Sequence, residues 1–127
     1  MKDKLNDEFH KLLINFVENT THEYFTTHTK ICYFIVERIY RRVMDGYGSK
    51  FGGIKIDDEN RLIIDGNHRY IAYKLAGFKY EKISWRKNYS DPHYDINDIK
   101  IEIEEDWDMN CEKNRRYCDD NFLKDYK

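Results

Sequence analysis

The sequence has one proline, Pro92, and it lacks internal repeats and glycine- or serine-rich linkers. Its three cysteines, Cys32, Cys111 and Cys118, form no Cys-X-X-Cys pair, and their odd number argues against a disulfide framework. No apolar signal core begins the sequence, and no apolar run approaches the roughly 20 residues that a membrane span requires. These absences predict a cytoplasmic protein with no membrane partner.

What the chain does have is the composition of a folded domain. Aromatic residues make up 16% of it, more than a disordered segment carries, although 36% of the residues are charged. Its 127 residues are enough for one hydrophobic core and too few for two, so a single domain over residues 1–127 is expected. The formal net charge of -2 argues against a protein that mainly coats nucleic acid.

Apolar periodicity predicts two helices in the first part of the chain. Apolar residues recur every three or four positions from Leu5 to Val17, and again from Ile31 to Met44. Thr29 is the expected N-cap of the second helix, which is expected to stop at a glycine. The segment between them, residues 20–29, is typical of a short strand or an irregular connection.

A compact β unit follows the second helix. The alternation at residues 54–56, the turn composition of residues 57–60 and the apolar residues at 61–64 predict a β-hairpin. A helix from about Asn67 to Ala76 and a strand around residues 83–85 are expected next. This order predicts an α/β (α+β) fold, with a small mixed sheet flanked by helices.

The end of the sequence has a weaker pattern. Residues 99–103 alternate as in a strand, Trp107 and Met109 form an apolar patch, and residues 110–123 have the period of a polar helix. The acidic run at residues 102–108 is more typical of a solvated face than of a metal site.

The stretch that carries chemistry is Asp65-Gly66-Asn67-His68-Arg69, where the hairpin meets the next helix. A helical wheel places His68 inward and Arg69 on the flank of the helix N-terminus. The first N–H groups of a helix lack partners and favour an anion such as phosphate. Gly66 allows close approach to the backbone, Arg69 offers a planar donor fork, and His68 offers a hydrogen bond or a proton shuttle.

The same five residues also have a purely structural interpretation. An Asp-Gly turn between a strand and a helix is ordinary, and either Asp65 or Asn67 is suited to capping the helix. An inward histidine is usually a hydrogen-bonded core residue. Residue types alone therefore leave both interpretations open.

Residues 51–85 read FGGIKIDDENRLIIDGNHRYIAYKLAGFKYEKISW. This stretch resembles the core of the ParB/sulfiredoxin superfamily, in which a strand pair leads into a DGxHRxxAxxxxG helix and then another strand. The resemblance covers about residues 30–86, and the rest of the chain takes no obvious part in it. The matching positions are Asp65, Gly66, His68, Arg69, Ala72 and Gly77.

The resemblance implies a nucleotide site. In relatives this turn holds the phosphates of ATP, ADP or CTP, usually with Mg²⁺, and the shared chemistry is phosphoryl transfer or nucleotide hydrolysis. Carried over, Gly66 and the N–H groups of Asn67, His68 and Arg69 would cradle the phosphates. The side chains of His68 and Arg69 would complete the grip, and Asp65 would order the turn.

Departures from the family narrow these expectations. Sulfiredoxins have a catalytic cysteine where this chain has Asn67, so reduction of a sulfinic acid is not expected. Partition proteins have a Glu-Arg-Arg version of the turn and a DNA-binding domain for which this chain is too short. Free serine kinases share the DGxHR motif and use an upstream acidic base, for which Glu23 and Glu37 are candidates.

Two rival functions stay open beside phosphoryl transfer. One is a small nuclease or toxin module, in which the same turn holds a nucleic acid backbone. The other is a non-catalytic domain that senses nucleotides. The basic residues Arg38, Arg41, Arg42 and Lys50 would extend a nucleic acid track, although a solvated helix face is the favoured interpretation.

Two weaker signals favour structural roles. Tyr70, Tyr73 and Tyr80 have the chemistry for stacking a base, but tyrosines that flank helices and strands are more often packed. His22 and His28 have no recognisable zinc spacing and are better interpreted as polar loop residues, so no metal ligand is assigned.

Overall fold

The computed structural model describes residues 5–108, which combine helices with two sheets. The helices are α1 (Asp7–Asn19), α2 (Tyr33–Arg42) and α3 (Asn67–Ala76). The strands are β1 (Phe25–Thr26), β2 (Lys30–Cys32), β3 (Ile54–Asp57), β4 (Leu62–Asp65), β5 (Lys82–Ser84), β6 (Tyr94–Asp95) and β7 (Lys100–Glu102). The predicted α/β class is confirmed, whereas Met109 and the predicted helix over residues 110–123 lie outside the described residues.

The larger sheet has the strand order β5-β3-β4-β1-β6. β3 and β4 form the predicted antiparallel hairpin, and the predicted third strand, β5, lies parallel to β3. β1 lies parallel to β4 on the other side, and β6 pairs antiparallel with β1 at the edge. β2 and β7 form a separate parallel pair.

The hairpin turn is organised by the carboxylate of Asp57. Its Oδ1 accepts the N–H of Asn60 at 3.0 Å, and its Oδ2 accepts the N–H of Lys87 at 2.8 Å. The hydrogen bond from Lys87, followed by those from Asn60, lowers the pKa of Asp57 to about 2. This carboxylate therefore stays ionised and joins the hairpin to the loop after β5.

Helix α1 is capped and amphipathic. The Asn6 side chain accepts the N–H of Phe9 at 2.9 Å, which satisfies one of the free donors at the start of the helix. Phe9, Leu13 and Val17 recur on one face and are buried in the core. The helix predicted from Leu5 to Val17 therefore exists, displaced by two residues at each end.

The predicted start of the second helix is wrong. Residues 30–32 form β2, where Ile31 pairs with Ile101, and the N-cap of α2 is Cys32 rather than Thr29. The pairing gives these residues backbone hydrogen bonds to a distant segment, which the helical spacing of Ile31 does not reveal. After Arg42 the chain continues into the turn Val43–Tyr47, which is kinked at Gly46, where φ is +97°.

Helix α3 has the bounds predicted from the sequence. Gly66 precedes it with φ +97°, and Gly77 follows it with φ +66°, both in the left-handed region that glycine adopts without strain. Tyr70, Ile71 and Tyr73 bury the inner face of the helix. The 65–69 turn, defined as residues Asp65–Arg69, thus lies at a fixed junction between β4 and α3.

Segments outside residues 30–86 are integral to this fold. β1 pairs with β4 within the larger sheet, and β7 pairs with β2. Helix α1 contributes three side chains to the same core. Across residues 5–108, the helices are too short or too polar to span a bilayer.

Candidate functional site

The 65–69 turn presents an uncapped helix N-terminus. No side chain caps α3, although Asp65 and Asn67 both have the chemistry to do so. The first backbone bond of the helix is donated by Tyr70 to the Gly66 carbonyl at 2.7 Å. The N–H groups that precede Tyr70 therefore lack intrahelical acceptors, and the helix dipole favours an anion beside them.

Asn67 uses its side chain to hold strand β1. It is buried, its Oδ1 accepts the hydroxyl of Thr26 at 2.5 Å, and its Nδ2 donates to the hydroxyl of Thr27 at 3.1 Å. Thr26 also accepts the N–H of His28 at 3.1 Å. The Asn67 side chain is thus engaged by β1 and the residue after it rather than by the N-terminus of α3.

His68 points inward, as the helical wheel predicts. Its Nε2 accepts the backbone N–H of Cys32 at 2.9 Å, so the neutral ring carries its proton on Nδ1. The rings of His28 and Trp107 lie at centroid distances of 6.1 and 5.7 Å. Burial, with a smaller contribution from His28, lowers the pKa of His68 to about 3.

These contacts limit what His68 can do. Near neutral pH its Nε2 lone pair is already bound, and the ring stays uncharged, so the expected proton shuttle is not available at this nitrogen. The Cys32 thiol is also unsuited to attack, because burial raises its pKa and its Sγ donates to the Glu105 carbonyl at 3.4 Å. Positioning and hydrogen-bond donation are the roles that remain.

Arg69 crosses the 65–69 turn and contacts the preceding loop. Its Nη1 donates to the Phe51 carbonyl at 2.7 Å, and its Nη2 lies 3.5 Å from Oδ2 of Asp65. A Cβ atom on Gly66 would lie 2.8 Å from Nη2 of Arg69 and 2.9 Å from Cδ1 of Ile54. The space beside Gly66 is therefore filled by the guanidinium, which corrects the expectation that the missing side chain directly admits a ligand.

The two candidate bases lie away from this group. Glu23 is exposed and lines a small cavity of about 230 Å³ together with Tyr70 and Lys74, and none of Asp65, Gly66, Asn67, His68 and Arg69 lines that cavity. Glu37 is bound by Tyr33 and Arg41 within α2. The structure brings Asp65 and Arg69 together, whereas the His68 ring points inward to Cys32, and neither glutamate is grouped with them.

The sequence did not reveal a buried ion-pair cluster beside the turn. Both nitrogens of the Arg38 fork bind the carboxylate of Asp106, one of them at 2.8 Å, and Nη1 lies 3.8 Å from Asp108. All three side chains are buried or nearly so, which corrects the predicted solvated face at Arg38, Asp106 and Asp108, whereas Glu104 and Glu105 in the same acidic run are exposed. Nothing in the local pattern marks these charges as buried, because their partners are far apart along the chain.

Two other basic residues of α2 lie beside acidic neighbours, and two of the tyrosines are packed in the core. Arg41 binds Glu37 at 3.0 Å, and Arg42 lies 3.8 Å from Asp45. Tyr70 and Tyr73 are buried, so the structural interpretation of those tyrosines is confirmed. Within residues 5–108, no group of three or more His, Cys, Asp or Glu side chains has a metal-binding arrangement.

Comparison with known proteins adds no relative: no protein-family model matches this chain, and neither a curated protein nor a solved structure matches it. The resemblance to the ParB/sulfiredoxin superfamily therefore depends on the motif residues themselves.

Proposed function

We propose that this protein binds a nucleoside di- or triphosphate at the 65–69 turn. The observation that carries the proposal is the uncapped N-terminus of α3 with the guanidinium of Arg69 lying across it. The N–H groups of Asn67, His68 and Arg69 supply donors, and Arg69 supplies positive charge. ATP, ADP and CTP are the candidate ligands because the matching motif in ParB/sulfiredoxin relatives holds them.

The chain's own residues fit a phosphate better than they fit a metal ion alone. Asp65 is the exposed carboxylate at the turn, and Mg²⁺ commonly uses one or two carboxylates together with substrate phosphates. When bound with the nucleotide, Mg²⁺ would neutralise phosphate charge. Asp65 would then be its nearest protein ligand at the turn, in exchange for its present contact with Arg69.

The proposed chemistry is phosphoryl transfer or nucleotide hydrolysis, in which a protein contributes mainly positioning and charge stabilisation. Arg69 would stabilise negative charge on the phosphoryl oxygens. His68 would hold the first turn of α3 against Cys32 as a neutral ring. The observed order β3, β4, α3, β5 supports the proposal because the ParB/sulfiredoxin resemblance calls for a strand pair, a helix and another strand.

A second candidate is a domain that binds the nucleotide without turning it over. The specific observation behind it is that Glu23 and Glu37 both lie away from the 65–69 turn. The nuclease alternative is weaker, since Arg38, Arg41 and Arg42 each have an acidic neighbour rather than forming an open basic track.

Calorimetry with ATP, ADP and CTP, with and without Mg²⁺, tests the proposal. We expect one of them to bind the wild type, and Arg69→Gln to weaken that binding by about tenfold or more, because a charge-assisted hydrogen bond contributes about 1.5–3 kcal/mol. Lys82→Gln is the matched control, since it removes one positive charge from an exposed pair with Asp58 elsewhere.

Three outcomes separate the candidates. Equal binding by Arg69→Gln and wild type, with circular dichroism showing both folded, would refute the phosphate site. Binding accompanied by release of phosphate, or by its transfer to an acceptor, supports the enzyme. Binding without either supports the sensing domain.

A further inference from the structure

A second concave site lies between α1 and α2, and the 65–69 turn takes no part in its lining. It is a groove with a volume of about 720 Å³. Ligand sites in proteins usually measure about 300–1,000 Å³, so it is large enough for a small molecule. Its apolar wall is formed by Phe9, Leu12, Tyr40 and Met44, and the Phe9 and Tyr40 rings pack at a centroid distance of 4.8 Å.

The groove also contains a buried carboxylate, that of Glu37, which is only 7% exposed. The Tyr33 hydroxyl and Nη2 of Arg41 both donate to the same oxygen, Oε2, each at 3.0 Å. Among residues 5–108, Oε1 receives no hydrogen bond. Oε1 is therefore the oxygen of this carboxylate that a donor entering the groove can bind.

The charge around Glu37 favours a cation as that partner. Glu8 and Asp45 also line the groove, whereas Arg41 is its one basic residue among those that the structure describes. Arg41 is 61% exposed, and its guanidinium binds Oε2 of Glu37. A cation that binds Oε1 therefore does not have to displace it.

The end of α2 shapes the far side of the groove. Met44 and Asp45 both belong to the turn Val43–Tyr47, in which Gly46 has φ +97°. A glycine in the left-handed region is a common way to end a helix, and it turns the chain sharply after α2. Here the turn places an exposed thioether next to a carboxylate, and Leu12 is exposed on α1 across the groove.

We infer that this groove binds a small organic cation, an ammonium or guanidinium group carried on an apolar chain. The cation binds Oε1 of Glu37, close to the aromatic rings of Phe9 and Tyr40, which also attract positive charge. The apolar chain lies between Leu12 and Met44. This inference is independent of the nucleotide site, and its test does not depend on nucleotide binding.

Hexylammonium is a suitable probe, and its neutral analogue, hexanol, measures the apolar contribution alone. In calorimetry at fixed ionic strength we expect hexylammonium to bind at least about tenfold more tightly than hexanol, an advantage of about 1.4 kcal/mol. Equal binding of the two would overturn the inference. So would full competition by K⁺ at the same concentration, because simple charge screening would then explain the effect.

Two substitutions of opposite sign localise the cation. Glu37→Gln removes the buried charge and should weaken hexylammonium about tenfold, whereas Arg41→Gln removes the competing cation and should strengthen it several-fold. Asp58→Asn and Lys82→Gln are the charge-matched controls, because that exposed pair lies on another part of the surface. If Glu37→Gln fails to fold, Arg41→Gln decides: unchanged or weaker binding there contradicts the inference.

Discussion

Two arginines of this molecule, Arg38 and Arg69, are equally buried and differently paired. The side chain of each is 14% exposed. Arg38 binds Asp106 and Asp108, whose side chains are 7% and 2% exposed, so its charge is compensated where water is excluded. Arg69 donates to a carbonyl and lies 3.5 Å from Asp65, whose side chain is 64% exposed.

The difference shows that the burial of an arginine does not decide whether it is available to a ligand. A solvated carboxylate at that distance contributes about 0–1 kcal/mol and is easily exchanged for another anion. A buried carboxylate cannot leave without stranding the guanidinium. Arg38 therefore belongs to the scaffold, whereas Arg69 keeps much of its charge available to a phosphate.

The largest expected difference between the two arginines is in the free energy of unfolding when the acidic partner of each is replaced. We expect Asp106→Asn to lower the free energy of unfolding by about 3 kcal/mol, because it removes the carboxylate that binds both nitrogens of a buried guanidinium. Asp65→Asn should change it by less than about 0.5 kcal/mol, since that residue is exposed. Urea unfolding measures both values. Losses of similar size would mean that Asp65 holds Arg69 as firmly as Asp106 holds Arg38.

Gly66 gives the second test, because the guanidinium of Arg69 occupies the space that a Cβ atom on Gly66 would need. Gly66→Ala should destabilise the fold by about 2 kcal/mol through backbone strain and crowding, and it should also weaken nucleotide binding. Gly77→Ala is the control: it has a positive φ as well, but within residues 5–108 no heavy atom beyond its chain neighbours lies within 4 Å of the added carbon.

A smaller cost for Gly77→Ala, with nucleotide affinity unchanged, isolates the crowding at Arg69. Equal cost and equal affinity in the two variants would show that only the backbone conformation matters. Thermal unfolding, together with calorimetry on the same samples, distinguishes these outcomes.

The smallest expected effect uses pH and concerns His68, the residue that precedes Arg69 in α3. His68 has its pKa lowered from 6.5 to about 3 in the folded state, so the unfolded chain binds more protons between these values. Its contribution to stability is complete above 6.5 and is lost progressively as pH falls toward 3. From about pH 7 to about pH 5.5 this loss should reach about 1 kcal/mol.

The measurement is the difference between wild type and His68→Gln in urea unfolding over that pH range. Other groups titrate equally in both proteins, so the difference reports His68. If the two proteins lose stability in parallel, His68 is not held in its neutral form.

Local signals were enough to predict the central part of the fold. Asp57 and its neighbours specify the hairpin turn, and Gly66 and Gly77 specify both ends of α3, because each of these features acts within a few residues. The inward direction of His68 follows from helical periodicity in the same way. None of these features requires knowledge of a distant part of the chain.

Features that join distant segments were not predictable. Ile31 has the spacing of a helix, yet it pairs with Ile101 in a strand. The acidic run around Asp106 predicts a solvated carboxylate, yet Asp106 is bound by Arg38. The sequence suggests that the side chain of Asn67 caps α3. Instead, it is hydrogen-bonded to the hydroxyls of Thr26 in β1 and of Thr27, the next residue. In each case the deciding partner is remote in sequence, so periodicity and composition contain no signal for it.

The pairing of β2 with β7 also has a consequence for synthesis on the ribosome. Cys32, at the end of β2, holds His68 in place, but β2 obtains its partner strand only after residues 100–102 have emerged. Long-range pairing of this kind forms late and slowly compared with local contacts. We expect a nascent chain that has exposed only residues up to 86 to lack a completed 65–69 turn, so the proposed nucleotide site would form only when β7 docks.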